Sequence, residues 1–150
     1  MTRPMIYAGM IALAASACSQ LPRDPEGTLE RVTRERLLRV GMIATGDASA
    51  TAERQHALVA RIAAATGARP ALVSGAAEPL LLRLEQGGLD LVIGEFHAQS
   101  PWIAKAHLLP PIAKARVGEE ETMVAAAARH GENRWIMLVD RESRALAPPQ

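Results

Sequence analysis

Between positions 95 and 105 the chain carries a carboxylate, an imidazole, a hydroxyl, an indole and an ammonium group, on Glu95, His97, Ser100, Trp102 and Lys105. General acid–base catalysis needs two titratable groups set against each other and a third that orients them. Glu95 and His97 stand close in sequence without such support. Ser74-Gly75 lacks a nucleophile-elbow pattern. No metal-ligand spacing links His97, His107 and His130, and Glu119 to Glu121 reads as a solvated turn. His56 falls on a helix surface. The chain is therefore read as a non-enzyme, with no metal and no cofactor.

The stretch that positions these residues is Glu78 to Glu95, EPLLLRLEQGGLDLVIGE. Ala77, Leu80, Leu81 and Leu84 recur at helical spacing, so one face of a helix is apolar. Pro79 fits only the first turn of that helix, where its missing N–H costs nothing. Gly87-Gly88 stops it, because glycine tolerates the left-handed cap. Leu89 to Ile93 follows as a short strand ending at Gly94. Four of its five residues are apolar, which predicts burial on both faces, as in a parallel sheet. Ligands of such sheets bind beyond the carboxyl ends of the strands. Function is to be sought at Glu95, Phe96 and the segment after them.

The same grammar runs through the chain. Thr28 to Arg36 is a short charged helix with Thr28 as a candidate N-cap. Leu37 to Ile43 is the first strand, and Ala44 to Ala50 a loop of small residues at its carboxyl end. A helix capped by Ser49 or Thr51 turns Leu58, Val59, Ile62 and Ala63 inward and ends at Gly67. Pro70 to Gly75 is the second strand. Strand, helix, strand, helix, strand predicts right-handed parallel crossovers. Ser100 caps a short helix with Pro101 at its first position. His107 to Val117 becomes strand-like after Pro110-Pro111, and Thr122 to Ala127 is another strand. Gly131-Glu132-Asn133 opens a last helix, on which Trp135, Leu138, Val139 and Glu142 share one side and Trp135 anchors the packing. The expected fold class is α/β: three layers, a mostly parallel sheet flanked by helices.

At 150 residues there is room for one domain. The apolar fraction is 49% with only 3% aromatic, so the core is aliphatic. Seventeen basic residues against sixteen acidic ones give +1. That balance offers no phosphate-binding face, and nucleic acid is set aside as a partner.

Residues 1–17 read as a signal peptide. Arg3 supplies the positive region, Met5 to Ala15 the apolar region, and Ala15-Ser16-Ala17 the small residues before a cut. The bland outcome is cleavage near Ala17. The sharper one is lipidation of Cys18, the sole cysteine, because Ala15 to Cys18 resembles a lipobox with Ala in place of its preferred Leu. A thioether-linked diacylglyceryl group would hold the amino terminus at a membrane face. Residues 18–27 are then a tether, 28–146 the folded lobe and 147–150 a tail.

Four stretches carry a family resemblance. Pro22 to Ile43 resembles an opening helix running into an "LRVGV" strand. Glu78 to Gly94 resembles an "L…L..GelDlvigg" helix and strand. Ser100-Pro101-Trp102 through Pro111 resembles a "T-P-W…rPY" segment, and Gly131 to Trp135 a closing "GENaw" helix. In that order they resemble the solute-binding proteins of bacterial ABC transporters, in family 3, which includes the amino-acid binders. The resemblance implies one lobe of a periplasmic binding protein. It also implies a lipid-anchored periplasmic location and a small polar or amino-acid-like solute held for transport. Glu95, Ser100, Trp102 and Lys105 are the expected contacts, with the backbone N–H groups of residues 100–102 aimed at an anion.

Departures from the family shape the expectation. Lys114 to Val117 runs almost directly into Thr122, where the resemblance places a second lobe. Ala44 to Ala50 lacks the family's stacking aromatic. Ile103 or Ala104 stands near the place of its carboxylate-binding arginine, with Lys105 the nearest cation, and Ile112 replaces its tyrosine. Losing a bidentate guanidinium–carboxylate pair removes about 1.5–3 kcal/mol, roughly ten- to a hundredfold in affinity. Expected partners are a weakly bound solute, a transporter permease or a second copy. The alternative is an accessory lipoprotein that no longer binds solute.

Overall fold

In the computed structural model, residues 24–44, 49–97, 101–117 and 120–147 are described. The segment read as a leader, residues 1–17, lies outside them, as do Cys18 and Ser100.

Leu37–Ile43 (β1) alternates Leu38, Val40 and Met42 toward one core and Gly41 and Ile43 toward another. It is central to a parallel trio. β2 (Arg69–Gly75) pairs with it from Leu37↔Arg69 to Ile43↔Gly75, and β3 (Leu91–Phe96) from Val40↔Leu91 to Met42↔Ile93. The helix before each later strand supplies the crossover: α2 (Ser49–Thr66) and α3 (Ala77–Glu85). Gly67 (φ 66°) follows Thr66 of α2, and Gly87 (φ 76°) follows Glu85 and Gln86 at the end of α3, so glycine stands where each connection turns left-handed.

The sheet is mixed rather than wholly parallel. β6 (Glu120–Ala128) joins β3 antiparallel, from Val92↔Ala127 to Phe96↔Met123. β4 (His107–Leu108) and β5 (Ala113–Val117) then lie in line along the far edge of β6, giving the order β2-β1-β3-β6-β4 with β5 also on β6. The break between them is Pro110-Pro111, which has no N–H to give the ladder. On either side Leu109 and Ile112 still donate to Ala126 and Val124, both at 2.8 Å. Of the acidic run expected to form a turn, Glu120 and Glu121 belong to β6.

Helices close both faces. One layer consists of α2, α1 (Thr28–Glu35) and α4 (Asn133–Arg144), covering Leu38, Val40, Leu91, Ile93, Val124 and Ala126. On the other, Leu80, Leu81 and Leu84 of α3 pack on Val92, Phe96, Ala125 and Ala127. The double burial expected of the Leu91–Ile93 segment is therefore present. Thr28 does not cap α1: Gly27 takes that position at φ 61°, and Thr28 is buried in the first turn. α3 ends two residues earlier than glycine placement predicted, at Glu85.

β3 does not stop at Gly94. A Cβ there would stand 2.4 Å from the Cβ of Ile43. Glycine thus serves close approach between strands, and the strand continues through Glu95 and Phe96. Trp135, fully buried, is the packing anchor expected of it, and its indole Nε1–H donates to the Asp90 carbonyl at 2.8 Å.

Candidate functional site

The carboxyl ends of β1 and β2 are stitched together by the Ala44 N–H, which donates to the Gly75 carbonyl at 3.0 Å. β3 extends beyond them by Glu95 and Phe96. Side chains alternate, so Phe96 joins the core under α3, while Glu95 follows Leu91 and Ile93 toward α2. Glu95 is half-buried and stands opposite Val124 of β6.

The first two inward positions of α2 are polar. Thr51 and Gln55 begin the stripe that continues through Leu58, Val59 and Ile62, and they are 5% and 3% exposed. Next to Gln55, Arg54 fixes this turn over β5: its Nη1 donates to the Ile112 carbonyl at 3.1 Å and the Leu146 carbonyl at 2.9 Å. Ile112 in turn hydrogen-bonds Val124, the register partner of Glu95. Two residues along β6 from Val124, on the same face, Thr122 is 1% exposed. The buried Gln55 Nε2 and Thr122 Oγ1 have no hydrogen-bond partner among the described residues, as is also true of Asp24 Oδ2, Arg31 Nη1, Arg129 Nε and Ser143 Oγ elsewhere in the fold. Leaving a buried donor unsatisfied costs about 1–3 kcal/mol. A donor amide, a hydroxyl and a carboxylate thus border the carboxyl end of the sheet on its α2 side.

Of the four residues read from sequence, Ser100 lies outside the described residues, and the other three fall on different elements. Glu95 belongs to this edge. Trp102 lies in the short 3-10 helix Pro101–Lys105. Lys105 is exposed, and its Nζ is 3.9 Å from Glu85 at the end of α3. Two residues later His107 pairs with Ala128, four residues down β6 from the partner of Glu95. Lys105 is thus held toward the amino end of the sheet. The sequence offers Thr51 as a helix cap and Thr122 as a strand start, not as site residues, and does not single out Gln55, although a polar pair opens the apolar stripe of α2.

The opposite, amino end is closed by charge. Asp90, 2% exposed, accepts from Arg31 at 2.5 Å, from the Arg39 guanidinium at 2.7 and 3.3 Å and from the Arg39 N–H at 2.8 Å. Burial alone would raise its pKa; the hydrogen bonds from Arg39 and Arg31 outweigh that and hold the carboxyl below its ordinary range. Glu132, fully buried, accepts the N–H groups of Glu26 and Thr28 at 2.8 and 2.7 Å. Burial works against it too, and these bonds, the Thr28 hydroxyl and the nearby Arg129 leave its pKa lowered. Both carboxylates are fully used in holding α1 and the chain before it. Among the described residues no group of His, Cys, Asp and Glu is placed to hold a metal ion.

Solved structures share this architecture. A point mutant of the arginine-bound domain 1 of the T. maritima arginine-binding protein superposes with a TM-score of 0.62 at 17% identity, over 79% of this chain and 97% of that one. The fold is that of a single solute-binding lobe. An ancestral cationic amino-acid solute-binding protein, AncCDT-1, a precursor of cyclohexadienyl dehydratase, gives 0.62 at 10% identity over 79% of this chain and 93% of that one. The B. pertussis BvgS periplasmic domain gives 0.58 at 13%, over 82% of this chain and 42% of that one. No protein-family model and no curated protein matches the sequence.

In this lobe β5 and β6 pair as far as Val117↔Glu120, so only Gly118 and Glu119 connect them. That is the point at which the family resemblance puts the second lobe.

Proposed function

We propose that this protein is a membrane-tethered, single-lobe solute-binding protein of the periplasm. Its carboxyl edge engages a small cationic or zwitterionic solute of the amino-acid type, weakly, for a transporter. The observation that carries this is the pair of buried, unpartnered atoms, Gln55 Nε2 and Thr122 Oγ1, on the same sheet face as the Glu95 carboxylate. An amide N–H and a hydroxyl suit a solute carboxylate, and Glu95 suits an ammonium or guanidinium group. The arginine-bound and cationic-amino-acid-binding neighbours agree with that polarity. Ser100 and Trp102 remain proposed contacts from the segment after β3.

One lobe offers a shallow face where two would bury most of a solute, so affinity in the millimolar range, about −4 kcal/mol, is expected. Calorimetric titration with arginine, lysine and small organic acids tests the reading. Heat with the cationic amino acids supports it, and uniform silence at millimolar solute removes it. No described helix is long and apolar enough to cross a membrane; the tether is proposed to be the lipid on Cys18.

A second reading is favoured by β2. It is an edge strand with Leu72 and Val73 44% and 37% exposed, the kind of edge that takes an added strand. An accessory lipoprotein that has lost solute binding would use it on a permease or on a second copy. Crosslinking in the envelope separates the two, since a solely monomeric species counts against this one.

A further inference from the structure

We propose that the amino end of this lobe is a docking face for anionic phospholipid headgroups. The idea rests on the proposed lipid anchor at Cys18 and adds which way the lobe faces once anchored.

A net charge of +1 conceals a segregation that the fold creates. Arg31 and Arg34 lie on α1, Arg36 at its left-handed end and Arg39 on β1. Arg69 opens β2, its N–H donating to the Arg36 carbonyl at 3.1 Å, and Arg83 stands in the last turn of α3, its carbonyl accepting from Gly88 at 2.8 Å. All six therefore come to the amino ends of β1, β2 and β3. Of these, Arg34, Arg36, Arg69 and Arg83 are exposed. The carboxylates on that side are largely committed. Asp90 is buried beneath two guanidinium groups, Glu30 pairs with Arg134, Glu85 with Lys105, and Glu35 stands 3.6 Å from Arg34. Exposed Glu26 and the buried Asp24 and Glu132 complete the acidic groups at this end. Against these seven carboxylates stand nine basic groups, the six arginines with Lys105, Arg129 and Arg134, so the face carries an excess of two positive charges.

The chain also leaves the fold at this end. Asp24 accepts the Arg134 N–H at 2.6 Å at the start of α4, pinning the first described residue beside the arginines. Five residues lie between Cys18 and Asp24, six steps along the chain and a reach of about 20 Å at most. An anchored lobe cannot hold this face far beyond a few Debye lengths, each about 8 Å, from the headgroups. Attraction of several arginines to an anionic surface then turns the amino end down and the carboxyl edge, with Gln55 and Glu95, toward the periplasm.

The test uses the chain from position 18 with Cys18→Ser, which keeps every described residue and removes the lipid. Cosedimentation is measured with vesicles of phosphatidylcholine alone and of phosphatidylcholine mixed with phosphatidylglycerol. Binding is expected only to the mixed vesicles and should fall with added salt. Combining Arg34→Glu, Arg36→Glu and Arg69→Glu should weaken it by at least fivefold per arginine, since each contributes about 1 kcal/mol at such a surface. These side chains are exposed, so an unchanged melting temperature verifies the fold. Equal partition into both vesicle types, or undiminished binding by the triple variant, would overturn the proposal. So would preference for duplex DNA over the anionic vesicles at the same salt. Failure of the anchor itself would be seen separately, as wild-type protein without the diacylglyceryl mass.

Discussion

Val117 and Glu120 face each other across the β5–β6 ladder, three positions apart in sequence. A two-residue link cannot leave the sheet, build a second lobe and return. No second lobe is therefore inserted between β5 and β6.

The Gln55 amide is predicted to sacrifice stability for recognition. Gln55→Leu removes an unsatisfied buried amide while roughly keeping volume, so the variant should be more stable by about 1–2 kcal/mol. The same change should abolish the heat of solute binding. Chemical denaturation and calorimetry on one preparation check both; a destabilised variant would show that the amide is satisfied.

Gly94→Ala should destabilise the lobe by about 1–3 kcal/mol, because its methyl group would meet Ile43 at the β1–β3 seam. Ile43→Gly, which removes the Cβ as well, opens that space at its own cost. The double variant should then be more stable than the sum of the two losses by at least about 1 kcal/mol, a coupling read from a denaturation cycle.

Replacing Asp90 with Ala strips one carboxylate from two guanidinium groups and should cost about 2–3 kcal/mol, discounted from fully buried pairs because Arg31 and Arg39 keep some solvent. Differential scanning calorimetry reads this as a fall in Tm.

Acid should act through Asp90 and Glu132. Both have folded-state pKa values below their ordinary 3.8 and 4.5, so the unfolded chain takes up protons first. Their contribution is complete above those values and is lost as pH falls through the lower, folded ones. Tm should be unaffected by these groups from pH 7 to about 5 and decline below about 4. Asp90→Asn should flatten that decline.

Much of this fold was legible locally. The β1 boundaries, the apolar stripe of α3 and the inward set Leu58, Val59 and Ile62 follow from periodicity alone. Gly94 misled because glycine marks both strand ends and close strand approach, and only the nearness of Ile43 distinguishes them. The antiparallel course of β6 depends on pairing with β3 far earlier in the chain, which no local pattern encodes. The site divides similarly: Glu95 was found because it ends an obvious strand. Thr51 is read as a helix cap, Gln55 is not singled out, and Thr122 acquires meaning only beside Val124. The arginine face is scattered over four segments and is invisible to a net charge.

The central claim is that a polar solute is held at the carboxyl edge of this one lobe. An amide NMR titration with arginine tests it most directly. The account predicts saturable, millimolar-range shifts at Ala44, Gln55, Glu95 and Thr122, absent in Gln55→Leu. Shifts confined to the amino end around Arg39 and Asp90, or none at all, would contradict it.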